Sequence, residues 1–180
     1  PIPPEMDKVT LTKKTKNDTT VVEFNTKTLQ PTFLKNGKDT IAFNFTIESV
    51  LFESSNGNNL NGWVLKPKNV KPTITLLHFH GNAGFLLSQY ERITPMIKYG
   101  FQIFVFDYSG FGFSEGKATR KNVLIDANSA LSYVKSRSDI NDTKLVIYGQ
   151  SLGGNLSAVF ANERQVDIDG LVIEGAFSSH

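Results

Sequence analysis

The pentapeptide Gly149-Gln150-Ser151-Leu152-Gly153 constrains this chain more than any other stretch. It follows an apolar, strand-like run from Lys144 to Tyr148 and opens a helix-like run from Leu152 to Asn162. A strand that becomes a helix within a residue or two must bend sharply. Glycines two positions either side of the serine leave room for the backbone to fold past itself there. Such a bend sets the serine hydroxyl above the sheet, where a ligand can meet it.

The pattern around this turn is that of alternating strands and helices. Ile74–Phe79, Phe101–Phe106, Leu145–Tyr148 and Leu171–Ile173 are continuous apolar runs, as expected of strands covered on both faces. Val123, Ala127, Ala130, Leu131 and Val134 recur at helical spacing between the second and third runs. Tyr90, Ile93 and Ile97 predict a helix after the first, ended by Gly100 and kinked or started by Pro95. Strands separated by helices build βαβ units and a parallel sheet with helices on both faces. Upstream, Val50–Glu53 and Leu60–Leu65 flank a loop with Asn-Gly turn chemistry and predict an antiparallel hairpin that Pro67 closes.

The stretch from Met6 to Lys38 is rich in Thr, Lys and Asn, with one alternating patch at Val21–Phe24. It predicts an extension carrying at most a short strand and no chemistry, and Ile41–Phe45 predicts one further strand. The expected organisation is a polar N-terminal extension over 1–46 and an α/β domain over 47–180.

Charge and composition exclude several classes. Nineteen basic residues against seventeen acidic ones leave a net charge of +2, with the basic residues scattered, so nothing points to nucleic acid or to an anionic membrane surface. No apolar run approaches the roughly 18 residues of a membrane span. The absence of cysteine excludes disulfides and thiolate metal sites and leaves the compartment open. The opening Pro1-Ile2-Pro3-Pro4 has the look of the mature end of an exported or membrane-anchored protein, an origin favoured here over a cytoplasmic one. Any membrane association would run through a segment preceding Pro1.

Three glycine-bearing motifs follow the carboxyl ends of predicted parallel strands, the edge where open α/β sheets place their sites. They are His80-Gly81-Asn82-Ala83-Gly84, the run from Asp107-Tyr108-Ser109-Gly110 to Glu115-Gly116, and the Ser151 turn. In this order and spacing the three resemble the α/β-hydrolase superfamily, most of all the serine hydrolases of its α/β-hydrolase-domain and prolyl-oligopeptidase-like group. The resemblance covers about Glu48 to His180. It implies the α/β-hydrolase fold, with Ser151 as nucleophile at the elbow. It also implies an oxyanion hole made by the backbone N–H groups of Leu152 and Asn82, with no metal or organic cofactor, and a small-molecule acyl substrate. His80 and His78 lie upstream of the serine, whereas the family order is serine, acid, histidine. His80 is therefore expected to precede the oxyanion loop, and His78 to pack inside its strand. Asp107 is expected to tie backbone amides in a turn rather than to act as an acid. Ser109 stands where the family often has arginine, which removes a salt bridge that would anchor this loop.

A serine nucleophile needs a histidine to take its proton and an acid to hold that histidine. The resemblance implies that both lie beyond residue 180, the chain ending after the sixth strand of the family sheet, so that alone it lacks base and acid and is inactive. Glu174 as acid with His180 as base is the alternative, since both approach the correct sheet edge. The functional expectation is a serine hydrolase of esters, thioesters or peptides. The competing expectation is a non-catalytic module or inactive fragment on the same fold.

Overall fold

A computed structural model of the chain describes residues 7–14, 18–140 and 142–176. Four strands open it: β1 (Lys8–Lys14), β2 (Thr19–Asn25), β3 (Pro31–Lys35) and β4 (Asp39–Thr40). They pair antiparallel in sequential order as a sheet of their own. This overturns the expectation of an extension with at most one short strand. Val22, Phe24 and Phe33 are buried from this sheet against Trp63, Leu65 and Tyr90. Burying side chains of this size stabilises by about 1.5–3 kcal/mol each, enough to order a polar-looking segment. The expected strand at Ile41–Phe45 is also corrected. Residues 41–44 are irregular, and only Phe45 begins a strand. There Phe43 packs on Phe33 and Phe45, with ring centroids 5.1 and 4.8 Å away, at the passage from one sheet to the next.

The second sheet has six strands. β5 (Phe45–Glu53) and β6 (Asn59–Pro67) form the expected hairpin. β7 (Ile74–Phe79), β8 (Phe101–Phe106), β9 (Lys144–Gln150) and β10 (Gly170–Glu174) run parallel to one another. The spatial order is β10-β9-β7-β8-β6-β5, with β6 antiparallel to β8. Alternate residues of the central strands serve two separate cores. Val64, Leu77, Phe104 and Phe106 face one side, with Leu65, Leu76, Ile103 and Val105 on the other. The first core is covered by α2 (Arg120–Ser136) and α3 (Leu152–Glu163) through Ala127, Ala130, Leu131 and Phe160. The second is covered by α1 (Leu86–Ile93), by the 3-10 turn Thr94–Tyr99 that Pro95 starts, and by the N-terminal sheet.

β10 differs from its neighbours. Among the described residues it is the edge strand of this sheet at that side, and Leu171, Val172 and Ile173 are exposed on it. The chain passes from β7 to β8 on one side and returns across the sheet to β9 on the other. β7 and β9 therefore flank a topological switch point, the place where open α/β sheets leave a crevice at their carboxyl ends.

Candidate active site

Ser151 sits at this crevice, on the turn between β9 and α3. Its backbone has φ 54° and ψ −116°, a conformation that side-chain-bearing residues rarely adopt and that costs on the order of 1–3 kcal/mol. Several contacts hold the bend. The Ser151 N–H donates to the Glu174 carbonyl at 2.8 Å, and the Ser151 carbonyl accepts from Gly154 at 2.9 Å and Asn155 at 3.2 Å. The two glycines of the pentapeptide are required by space. A Cβ on Gly149 would lie 2.0 Å from Ser157 Oγ, and one on Gly153 would lie 1.9 Å from the Phe79 carbonyl oxygen. The first turn of α3 is thus laid directly on the end of β7.

The loop after β7 touches this turn. A Cβ on Gly81 would stand 3.3 Å from Ser151 Cβ. Together the two segments border a pocket of about 410 Å³ whose wall includes Asn82, Gln89, Arg92, Ser151 and Glu174. Ser151 is half-buried there. Leu152 carries the first amide of α3, which has no acceptor within its own helix and lies at the positive end of the helix dipole. Among the described residues nothing accepts a hydrogen bond from the backbone N–H of Leu152 or of Asn82.

The two described histidines are both fully buried. His78 stacks on Tyr148 with centroids 5.2 Å apart, and burial, then the neighbouring His80, lowers its pKa to about 3. The His80 ring packs against Tyr108 and Phe111, and its Nδ1 lies 2.7 Å from the Gly81 carbonyl oxygen. Burial outweighs that hydrogen bond and brings its pKa down to about 4. Asp107, 3.6 Å from His80 Nε2, accepts from the Leu86 N–H at 2.8 Å and so fixes the start of α1. Its carboxyl is pushed up to about 8, because burial outweighs the amides of Leu86 and Phe113 that favour its charge. Histidine and aspartate are therefore both held neutral near pH 7, tied to backbone and closed off from the pocket.

Glu174 contributes its carbonyl to the turn and its exposed carboxylate to the pocket wall. The Tyr148 hydroxyl, then the Gln150 amide, hold that carboxyl below its ordinary range, so it is ionised. His180, its possible partner, lies outside the described residues.

One anchoring residue has no counterpart in the sequence reading. Asp126 of α2 is buried, accepting from the Ser109 N–H at 2.7 Å and the Ser54 hydroxyl at 2.6 Å. Asn58 adds a hydrogen bond to Ser109 Oγ at 3.1 Å, and Ser114 Oγ donates to the Asp107 carbonyl at 2.6 Å. Hydrogen bonds thus hold the loop after β8 where the family often places an arginine. A buried aspartate on a helix face that otherwise reads as apolar was the available signal.

Residues 74–180 match the family model described as the alpha/beta hydrolase fold. The chain is 38% identical over 148 residues to YfhR of Salmonella typhi, an uncharacterized protein, covering 74% of this chain and 50% of that one. It is 34% identical over 139 residues to the alpha/beta hydrolase domain-containing protein WAV2 of Arabidopsis thaliana, covering 76% and 44%. Among solved structures it superposes on the Pyrococcus furiosus esterase Pf2001 with a TM-score of 0.63 at 18% identity, covering 73% of this chain and 49% of that one. The chain spans about half the length of the curated relatives it matches. With a family match across more than half its residues and an elbow turn at the switch point of a mixed sheet, this chain belongs to the α/β-hydrolase fold family.

Proposed function

We propose that the full-length protein is a serine hydrolase acting on carboxylic esters, thioesters or peptides through an acyl-enzyme on Ser151. The observation that carries this reading is the strained backbone of Ser151 at the wall of a pocket that Asn82 also lines. Backbone strain held by surrounding packing is characteristic of functional turns. Solved structures of the same fold include esterases from Pyrococcus furiosus and Bacillus coagulans, which supports the same class of chemistry here.

In this mechanism Ser151 Oγ gives its proton to a histidine and bonds to the substrate carbonyl carbon. The carbonyl oxygen becomes negative and is met by the N–H groups of Leu152 and Asn82. Removing one such donor typically costs about 3–4 kcal/mol, or 10²–10³ in rate. Collapse of the intermediate breaks the bond to the alcohol, thiol or amine, which leaves with the histidine's proton. Water then repeats the sequence and frees the acid. His78 and His80 are buried away from the pocket, so the base and its acid are assigned to the part of the protein that follows the described residues.

The test is hydrolysis of 4-nitrophenyl acetate by the full-length protein. The reading expects turnover that Ser151→Ala abolishes while the fold survives. Equal turnover by the variant, or none by the wild type on ester, thioester and peptide substrates, contradicts it.

A further inference from the structure

We propose that Arg92 selects acyl groups that carry a carboxylate at the end remote from the scissile bond. This rests on the proposed serine chemistry and deepens it by naming the substrate class. Asp107 fixes the start of α1 by accepting from the Leu86 N–H at 2.8 Å, and Gln89 ties the helix to the loop after β7 through the Ala83 carbonyl. Arg92 follows Gln89 by three residues, so the two share one side of the helix. Both stand with Ser151 on the wall of the pocket of about 410 Å³. The contacts that set α1 against the nucleophile's crevice thus set a guanidinium there as well.

This wall is unsuited to a hydrocarbon chain. Apart from Ala83, every described residue on it is glycine, polar or charged. Gln89 Nε2 donates to the Ala83 carbonyl, which leaves Oε1 buried with no partner among the described residues. Methylene groups laid there would strip water from polar groups and return no hydrogen bond. The charges then decide which polar group fits. Arg92 makes no hydrogen bond or ion pair among the described residues. Glu174, the acid on the same wall, accepts from the Tyr148 hydroxyl and the Gln150 amide, and Arg92 acts on it only as a lesser, through-space charge. The guanidinium is therefore uncommitted, and its planar fork of donors matches a carboxylate. Glu174 offsets part of its charge, which favours a monoanion over a phosphate dianion. A cation in the last turn of α1 also suits the helix dipole. That role concerns stability alone, and the test separates it.

The full-length protein is assayed on 4-nitrophenyl half-esters of dicarboxylic acids of about four to eight carbons. Each is compared with the matching terminal amide, which keeps the chain length and drops the charge, and the Ser151→Ala rate is subtracted. An exposed ion pair contributes little and a bidentate one more, so kcat/KM should favour the half-ester by about 5- to 20-fold at its best length. The preference should lie mainly in KM and should shrink as salt is added. Arg92→Gln should bring the ratio to about one, and Arg92→Glu should turn it in favour of the amide. Because the ratio is taken within each variant, a general loss of activity cancels. A purely structural role at the end of α1 would lower the melting temperature and leave the ratio where it was. A wild-type ratio near one at every length, or a ratio that R92Q and R92E leave unchanged, overturns the inference alone. A wild type that hydrolyses none of these esters, nor 4-nitrophenyl acetate, overturns the serine chemistry and this inference with it.

Discussion

Gly153 lies so close to the Phe79 carbonyl that an added Cβ would stand 1.9 Å from the oxygen. The obstructing atom is backbone at the end of a central strand, which cannot swing aside as a side chain would. Gly153→Ala should therefore push α3 off the sheet. Overpacking typically costs 1–3 kcal/mol, and this position is expected at or above about 3 kcal/mol. Chemical denaturation measures it. A change under about 1 kcal/mol would mean that the turn is looser than described.

The buried titratable groups set a pH window for stability. His78 and His80 have folded pKa values lowered to about 3 and about 4, so the unfolded chain binds their protons more readily below its ordinary value of about 6.5. Their contribution is complete above that value and is lost as pH falls toward 4. Asp107 acts in the opposite sense. With its pKa raised to about 8, its contribution is complete below the ordinary carboxylate value of about 3.9 and is lost as pH rises toward 8. Between pH 4 and 6.5 two histidines oppose one aspartate, and stability rises with pH. From 6.5 to 8 the aspartate alone titrates, and stability falls by up to about 1.4 kcal/mol per pH unit. Denaturation midpoints across pH 4–9 should peak near 6.5. Asp107→Asn should flatten the alkaline side, and an unchanged slope in that variant would refute the assignment.

The N-terminal sheet is part of the core rather than an appendage. Phe24 packs on Phe113 of the loop after β8 with centroids 5.0 Å apart and on Trp63 at 6.2 Å. Phe24→Ala should cost about 3–5 kcal/mol. Removing residues 1–40 should expose the apolar surface around Trp63 and Tyr90, read as increased binding of a hydrophobic dye and loss of a cooperative transition. A truncated protein that melts like the parent would restore the view of this segment as an extension.

The parts legible in the sequence were those whose signal is local. Apolar runs such as Phe101–Phe106 and the helical spacing from Val123 to Val134 each read correctly because burial on the central sheet leaves a continuous or periodic pattern. The glycine motifs were legible because close backbone approach admits no other residue. The four N-terminal strands were not. Their apolar residues are few, and Val22, Phe24 and Phe33 are buried only by elements far along the chain. Asp126 was missed for the same reason, since its partners Ser54 and Ser109 lie 72 and 17 positions away. His80 was set aside as a base on chain order alone; its burial and its contact with the Gly81 carbonyl need coordinates to see.

The most direct test of the account is reaction of the full-length, folded protein with a fluorophosphonate, followed by intact-mass and peptide mass spectrometry. The account predicts one adduct per chain on the peptide containing Ser151, absent from Ser151→Ala and from heat-unfolded protein. A folded wild type that takes up no label, or takes it up equally without the Ser151 hydroxyl, would contradict it.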